Sequence, residues 1–491
     1  MKRGLNPAGR FLLVVVLPLS TPLVCLGLDS QVQKTSAMAI SGAPQLFLDD
    51  ELVCRMTNLK RVLKRPVKHP QNPVIVPEHP WEKRILELYG TVLFDPARDR
   101  YRGWYLANEF KDGIPDTPEH ARTAEYYTCY AESEDGVRWT KPLAGAKPFG
   151  NYARHNVVIP DTHGFCVLPT PDDPNPRRRY KGAGGARFGF STDGLEWDLR
   201  DWRPAVGKND TSTCVVRWQG EYLAFVRAQV PDPNWSGVMR GVGLSRSKDF
   251  AQWTPKETVF ATDDQDSYPW VQPYGLSVTP YGDVLVGILW LLHLDQVAGN
   301  NSRGSMDTQL VVSRDGRTWG RVADRAVFLA PTPGSWDAGR VFPGTTMVVK
   351  DDEIRVYYTG VTTRHGDVWG AMGIGLATLP ADRFVALERV DAAQPGILET
   401  YPLLLPQADL VVNADIGKGN LEVELVEAGG SVLTGYGRAQ SRLVRHDRLR
   451  YRVVWESTGE ARSLRAAVCD QPVSLRFVIE GSSLYAFRVV P

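Results

Sequence analysis

The chain has 491 residues, and its 57 Lys and Arg against 56 Asp and Glu give a formal net charge of +1. The length predicts two or three domains, and the charge balance gives no reason to expect a nucleic-acid or acidic-polymer partner. With 43% hydrophobic residues, 45 Gly, 35 Pro and 14 Trp, the composition excludes a largely disordered chain and favours a turn-rich β protein.

The first segment, residues 1–28, has a basic start followed by apolar runs at 11–19 and 23–28. Pro18 and Pro22 interrupt these runs, so a secretory signal peptide is favoured over a membrane-spanning helix. We therefore expect a secreted or periplasmic protein with no membrane span once the signal peptide is removed.

Residues 40–387 are predicted to contain five repeated β units, and the first unit follows a proline-rich extended loop at 66–80. Four of the units contain the same phrase, Ser-x-Asp-Gly-x-x-Trp, at intervals of about 60 residues, with Phe250 replacing Gly in the third copy. An Asp-Gly pair between two strands predicts a tight hairpin, in which the Asp bonds turn amides and the Trp packs back. The third turn is expected to differ in detail. The copies span 133–139, 191–197, 247–253 and 313–319.

Each unit has room for four strands, and the fifth lacks the Asp-Gly turn. Helical periodicity is hard to find anywhere in the chain. The pattern predicts an all-β fold in which residues 40–387 form a five-bladed β-propeller. Residues 390–491 continue as short alternating strands separated by turns, which predicts a C-terminal β-sandwich.

Metal and cofactor chemistry is not indicated by the sequence. The cysteines beyond residue 28 are scattered without a Cys-x-x-Cys pair, and the eight histidines show no metal-ligand spacing. We expect no metal site and no cofactor. These cysteines are Cys54, Cys129, Cys166, Cys214 and Cys469.

This arrangement resembles the five-bladed β-propeller superfamily of glycoside hydrolases, which includes invertases, levanases, arabinanases and arabinofuranosidases. The invertase-like branch also carries a C-terminal β-sandwich. Segments 46–50, 313–316 and 484–487 are similar to secreted bacterial proteins of this shape. The resemblance implies a secreted glycoside hydrolase acting on an oligo- or polysaccharide. The Asp-Pro-Asn-Gly box of invertases is not present.

Glycoside hydrolysis needs two carboxyl groups flanking the scissile bond. In a propeller the starts of the innermost strands converge, so we expect the catalytic carboxylates there. Counted back from Gly90, Glu87 occupies the place of the invertase nucleophile, and Asp210 lies where the superfamily places its acid. Asp337 opens the fifth unit. Each has an alternative structural interpretation, as a polar strand residue, a turn residue or a loop cap.

Further residues are candidates for substrate binding because they lie near the same strand starts or offer aromatic faces to a sugar. His163 stands where the superfamily has a stabilising Asp, so this chain departs from a three-carboxylate mechanism. The aromatic members have core packing as an equal alternative. The candidates are His163, Asp266, Trp270, Asp307, Trp336, Arg340 and His365.

Two other functions stay open at this point. One is a non-catalytic carbohydrate-binding propeller, because the catalytic set is not matched motif by motif. The other is a sialidase-like enzyme, since sialidases also repeat an Asp-containing turn. Against it, the Asp and Gly are adjacent here, and no arginine triad is evident from the sequence.

Overall fold

Strands make up nearly all of the regular structure, which confirms the predicted all-β class. Among the residues described, the one α-helix is the single turn α1, Arg203–Val206, and no helix is long and apolar enough to span a membrane. The computed structural model describes residues 37–109, 125–143, 145, 147–207, 211, 213–232, 235–267, 270–295, 303–367, 370–406, 408–441, 443–444, 446–457, 459–467 and 471–490. Short 3-10 helices lie at Pro80–Glu82, Pro176–Arg178, Ala323–Arg325, Arg438–Gln440 and Leu464–Ala467.

Five short strands open the described chain, and four of them join sheets formed mainly by the C-terminal part. The fifth joins a sheet formed by residues near 340–380. They are β1 (Met38–Ala39), β2 (Gln45–Leu46), β3 (Val53–Thr57), β4 (Leu59–Leu63) and β5 (Val67–Lys68).

The next three sheets are antiparallel and follow one another along the chain. The first has order β6/β7–β8–β9–β10/β11, and the second and third each have four strands in sequence order. The first contains β6 (Ile85–Glu87), β7 (Val92–Asp95), β8 (Arg100–Asn108), β9 (Tyr127–Ser133), β10 (Trp139–Thr140) and β11 (Val157–Ile159). The second contains β12 (Cys166–Pro169), β13 (Tyr180–Gly184), β14 (Arg187–Ser191) and β15 (Asp198–Asp201). The third contains β16 (Cys214–Trp218), β17 (Glu221–Asp232), β18 (Trp235–Ser247) and β19 (Glu257–Phe260).

Two further groups of five strands each, the fourth and fifth sheets below, are joined by a single parallel pair, Met306 with Arg340. The edge strand of the second group is β5, which lies within the 66–80 segment predicted to be loop and pairs with residues 377–378. The first group contains β20 (Val271–Tyr281), β21 (Val284–Leu294), β22 (Gly304–Ser313), β23 (Gly320–Arg321) and β24 (Val327–Leu329). The second contains β25 (Arg340–Pro343), β26 (Val348–Lys350), β27 (Glu353–Val361) and β28 (Met372–Pro380), with β5.

The four repeated turns share one geometry. In the first, the Ser133 Oγ accepts from the Gly136 N–H at 2.8 Å, and the Asp135 carboxylate accepts from two following amides, each at 2.8 Å. The Trp139 indole then donates to the Gly136 carbonyl at 3.2 Å. The other three copies repeat the Asp and Trp bonds, so the predicted roles of these residues are confirmed.

The third turn keeps the shared backbone and differs in detail at Ser247, whose Oγ accepts from the Asp249 amide at 3.4 Å, where the serines of the other copies accept from the glycine amide at 2.8–2.9 Å. Phe250 adopts the same left-handed backbone as the glycines, with φ 62° against 75–82° in the other copies. Its ring is fully buried against Phe188, Phe190 and Trp253. Burial of the ring offsets the strain that a residue with a Cβ has in this region.

Each repeated turn docks on the preceding sheet, and the first docks on the fifth. Tyr357 of β27 donates to the Gly136 carbonyl at 2.8 Å, and Trp104 of β8 donates to the Gly194 carbonyl at 2.7 Å. Phe250 packs on β14, and Trp218 of β16 donates to the Arg314 carbonyl at 3.0 Å. The contacts therefore place the five sheets in a cyclic order.

The innermost strands of the five sheets meet in one buried layer. Thr91 and Thr345 hydroxyls are 2.6 Å apart, and the Cys166 Sγ lies 3.5 Å from each of them. The Cys214 Sγ accepts from the Val278 N–H at 3.3 Å, and that amide also donates to Thr345. All five residues are at most 2% exposed, so the sheets are closed against one another here.

Most of the C-terminal strands form two sheets that share one apolar core, and β36 and β37 pair separately as a two-stranded sheet. One sheet has order β1–β31–β38–β30–β3 with β33 and β34 at its side, and the other has order β35–β32–β39–β29–β4 with β2. This differs from the predicted division, which placed residues 40–63 with the repeats. The strands are β29 (Val385–Arg389), β30 (Gly396–Thr400), β31 (Leu403–Leu404), β32 (Asp409–Asp415), β33 (Asn420–Glu427), β34 (Leu443–Val444), β35 (Asp447–Arg452), β36 (Trp455–Ser457), β37 (Glu460–Arg462), β38 (Val473–Glu480) and β39 (Ser483–Val490).

Candidate active site

Polar and aromatic side chains from several sheets meet where the innermost strands begin. Glu87 ends β6, Arg340 begins β25 and Tyr274 lies in β20. Tyr89 joins them, because its hydroxyl is 3.4 Å from that of Tyr274 and its ring centroid is 5.5 Å from that of His163. We call this group, with the residues introduced below, the mouth cluster.

Glu87 is the carboxylate of the mouth cluster. Its side chain is almost wholly buried, and Arg340 Nη2 donates to its Oε1 over 3.4 Å. Burial raises the pKa of the Glu87 carboxyl, because desolvation disfavours the charged form, and the nearby Arg340 opposes this only in part. The folded state thus favours the neutral acid more than water does.

Arg340 also fixes the loop that follows β27. Its Nη1 donates to the carbonyls of Thr363 and Arg364 at 3.0 and 2.8 Å. His365 comes next in the chain and is held by two backbone hydrogen bonds with Gly304. One guanidinium therefore links the carboxyl group to the loop that carries a histidine.

A hydrogen-bonded chain runs from Tyr89 through Tyr274 to His365. The Tyr274 hydroxyl and His365 Nε2 are 2.9 Å apart, and the Tyr89 hydroxyl is 3.4 Å from that of Tyr274. Burial, together with Tyr274 and Glu87, raises the pKa of Tyr89 well above its ordinary value. Tyr89 therefore stays neutral in the folded protein.

Arginines of the third sheet lie against Tyr274. The guanidinium carbons of Arg227 and Arg240 are 4.7 and 5.6 Å from the centre of its ring, within cation–π range. Arg240 also donates to the Gln272 side chain at 2.8 Å. On the opposite side of the cluster, the Tyr126 ring packs edge-on against His163 with centroids 4.5 Å apart.

Of the predicted residues, the structure brings together Glu87, His163, Arg340 and His365. Asp337 lies elsewhere: its carboxylate accepts from Lys68 at 2.5 Å and from Tyr358 at 3.2 Å. Lys68 is on the edge strand opposite β25. These contacts correct the expectation that Asp337 faces the same well as Glu87.

The remaining predicted residues also have other surroundings. Trp336 packs on Tyr358 beside Asp337, and Asp266 forms buried ion pairs with Arg321 and Arg325 at 2.8 and 2.9 Å. These arrangements stabilise the fourth and fifth sheets.

Asp307 and Trp270 lie on the fourth sheet nearer its surface. The Asp307 carboxylate accepts a hydrogen bond from His293 Nε2 at 2.9 Å. Trp270 is 46% exposed and leads directly into β20. It therefore offers an exposed aromatic side chain just before the strand that carries Tyr274.

Asp210 lies outside the described residues, so its catalytic role stays a prediction. Within the described part of the chain, no three His, Cys, Asp or Glu side chains come together as a metal site. The sequence interpretation missed Tyr89, Tyr274, Arg227 and Arg240. Tyr89 is adjacent to Gly90, from which Glu87 was counted, whereas the arginines lie on the second and third strands of their sheet.

The sequence matches no protein-family model and no curated protein. Among solved structures it is similar to a glycosyl hydrolase from Bacteroides ovatus, with 14% identity, 67% of this chain and 97% of that one covered, and a TM-score of 0.43. It is also similar to a structure of the GH130 family of mannoside phosphorylases, with 14% identity, coverages of 68% and 96%, and a TM-score of 0.42. A GH32 beta-fructofuranosidase from Bombyx mori has 11% identity, coverages of 87% and 95%, and a TM-score of 0.37. These values are too low to assign this chain to a family.

Proposed function

We propose that the protein is a secreted glycoside hydrolase that cleaves an oligo- or polysaccharide at the mouth cluster. In this proposal the five cyclically ordered sheets are the blades of a five-bladed β-propeller, and the two C-terminal sheets form a β-sandwich. The docking of each turn on the preceding sheet and the buried meeting of five innermost strands support the propeller. Residues 1–28 would be the signal peptide.

The observation that carries the proposal is the buried carboxyl of Glu87 with its raised pKa. Because its pKa is raised, this carboxyl holds its proton to higher pH than an exposed glutamate does, and in its acid form it can donate that proton to the glycosidic oxygen as the bond breaks. Arg340 fixes the orientation of this group at 3.4 Å. Asp210, the predicted partner, would supply the second carboxylate that this chemistry requires.

Aromatic surfaces beside the acid suit a sugar ring. Trp270 is exposed just before β20, and Tyr126 is partly exposed beside His163, whereas Tyr89 and Tyr274 are buried in an apolar cluster with Trp290 and Phe342. Aromatic faces contact the apolar C–H surface of sugars, and the polar tips of tyrosines can orient their hydroxyls.

The test is hydrolysis of a panel of plant and algal polysaccharides by the purified protein and its variants. Glu87→Gln is expected to lower kcat by about 10²–10⁴, the usual contribution of a positioned acid. Asp210→Asn should do the same while retaining binding. Glu257→Gln is the matched control, because Glu257 pairs with Arg317 on the surface and its loss should leave hydrolysis unchanged.

The pH profile of hydrolysis gives a second readout. Since the acid form of Glu87 is the active one, activity should fall as pH rises through its raised pKa. Glu87→Gln should remove this alkaline limb from the residual activity. Full activity in Glu87→Gln would contradict the proposal.

A non-catalytic carbohydrate-binding protein is the second candidate. It is favoured by one observation: among the described residues that form the mouth cluster, Glu87 is the one carboxylate, and it is already paired with Arg340. Saturable binding of a glycan without cleavage of any member of the panel would establish this alternative over the hydrolase.

A further inference from the structure

Two arginines lie side by side at the mouth cluster without belonging to the acid–base chemistry. In the third sheet Arg227 pairs with Val242 and Arg240 pairs with Gln229 across the β17–β18 ladder. Residues 227 and 229 are two apart on β17, and 240 and 242 are two apart on β18. Because strand side chains alternate, Arg227 and Arg240 point to the same face of the sheet.

That face is turned toward Tyr274. The two guanidiniums lie 4.7 and 5.6 Å from its ring centre, and the Tyr274 hydroxyl continues to His365. Cation–π contact restricts both long side chains before any ligand arrives. A pair of oriented guanidiniums next to a candidate reaction site is therefore preorganised for an anion.

The charged side chains around Tyr274 also favour an anionic ligand. With Glu87 in its acid form, Arg340 adds a positive charge to the cluster, and the guanidiniums of Arg227 and Arg240 lie against the Tyr274 ring. Both have other contacts within the protein, but a guanidinium has five N–H donors and can serve a ligand as well. Its planar fork fits a carboxylate with two parallel hydrogen bonds.

We propose that the saccharide bound at the mouth cluster carries a carboxylate, which Arg227 and Arg240 bind. This rests on the proposed carbohydrate function. It names the substrate class as acidic saccharides, such as those that contain uronic or sialic acids. Neutral sugars lack the group that these two arginines are placed to hold.

The test is calorimetric binding to the full chain of three acidic probes, each compared with its own methyl ester. The probes are trigalacturonate, a hyaluronan tetrasaccharide and sialyllactose. Esterification removes the charge and keeps the sugar, so at least one acid is expected to bind about tenfold or more tightly than its ester, the ratio expected of a charge-assisted pair. This preference should shrink as salt is raised.

Arg240→Gln is expected to weaken binding of the preferred acid about tenfold while leaving the ester unchanged. Arg240→Lys should lie between the two, because it keeps the charge and loses the fork. The matched control is Arg246→Gln on the same strand, since Arg246 pairs with Glu221 at 2.8 Å away from Tyr274. Thermal unfolding of each variant checks that it is folded.

Equal binding of acid and ester for all three probes, or no binding of any of them, overturns the inference. So does an acid preference that survives Arg240→Gln. Arg240-dependent binding of inorganic phosphate that no acidic probe displaces would also overturn it in favour of a phosphate site. Hydrolysis is measured in parallel. Cleavage of neutral glycans alone would overturn this inference and support the proposed hydrolase. Arg240-dependent binding of an acid without any cleavage would support this inference and contradict the proposed hydrolase.

Discussion

Glu82 is a fully buried carboxylate whose oxygens are all engaged. It accepts from Lys141 Nζ at 2.8 Å, from the Tyr105 hydroxyl, and from the backbone amides of Glu78 and His79 at 3.0 and 3.1 Å. Burial alone would raise its pKa, but Lys141 and these hydrogen bonds outweigh that effect and lower the pKa of Glu82. The charged form is therefore the one that the fold stabilises.

The lowered pKa fixes the sign of a pH effect on stability. The contribution of ionised Glu82 is fully present above its unfolded pKa of about 4.3 and is lost as pH falls through its lower folded pKa. Glu82→Gln leaves the buried Lys141 with only its longer pairing to the exposed Glu78 carboxylate at 3.5 Å, so we expect a loss of about 3 kcal/mol at pH 7 by urea unfolding, at the low end for a broken buried pair. The difference from the wild type should narrow on acidification. The exposed Glu134→Gln variant is the control; an equal loss at every pH would contradict this account.

Glu87 and Asp337 show how far local sequence can predict a site. Glu87 lies at the start of the first unit, three residues before Gly90, and its catalytic role stays a prediction. Asp337 has the same local signature at the start of a unit, but its partner Lys68 lies 269 residues away. Nothing within the local sequence distinguishes a buried ion pair of this kind from a catalytic acid.

At the scale of single elements, the repeated turns were predictable and the edge strand β5 was not. The turns depend on bonds among seven consecutive residues, so their sequence carries their geometry. The strand β5 has two residues within a proline-rich stretch and pairs with Ala377 and Thr378 of β28. Its strand conformation comes from that distant partner, which overrides the local loop signal.

The third turn allows a test of how strain and burial balance. Phe250→Gly relieves a left-handed backbone, worth about 1 kcal/mol, but removes a fully buried ring, worth about 3–5 kcal/mol. We therefore expect a net loss of about 2–4 kcal/mol in chemical unfolding. Gly194→Ala is a useful comparison, because it adds strain and places a Cβ 2.8 Å from Trp104; it should also destabilise. A gain in stability for Phe250→Gly would show that the strain dominates.

At the scale of the whole molecule, the segment before residue 70 completes a sheet formed by residues 340–380. Lys68 of β5 bonds the Ala330 carbonyl at 2.6 Å, the Thr332 hydroxyl at 2.8 Å and Asp337 at 2.5 Å. The earliest strands of the described chain are thus held by its later parts, and residues 37–491 form one compact unit.

Lys68→Met should therefore weaken the whole unit. It leaves Asp337 as a buried carboxylate without its cation, so we expect a loss of about 3–5 kcal/mol in unfolding free energy. The double variant Lys68→Met with Asp337→Asn should recover part of that loss, since the uncompensated charge is gone. Additive losses in the double variant would show that the two side chains do not act as a pair.

One buried layer limits how a ligand could approach the mouth cluster. It is formed by Thr91, Cys166, Cys214, Val278 and Thr345. Among the described residues, these five are linked by hydrogen bonds and almost fully shielded from water, so they close the point where the innermost strands meet. Under the proposed hydrolase function, a polysaccharide could not be threaded through this layer. Its substrate would bind, and its products would leave, on the same side of the layer.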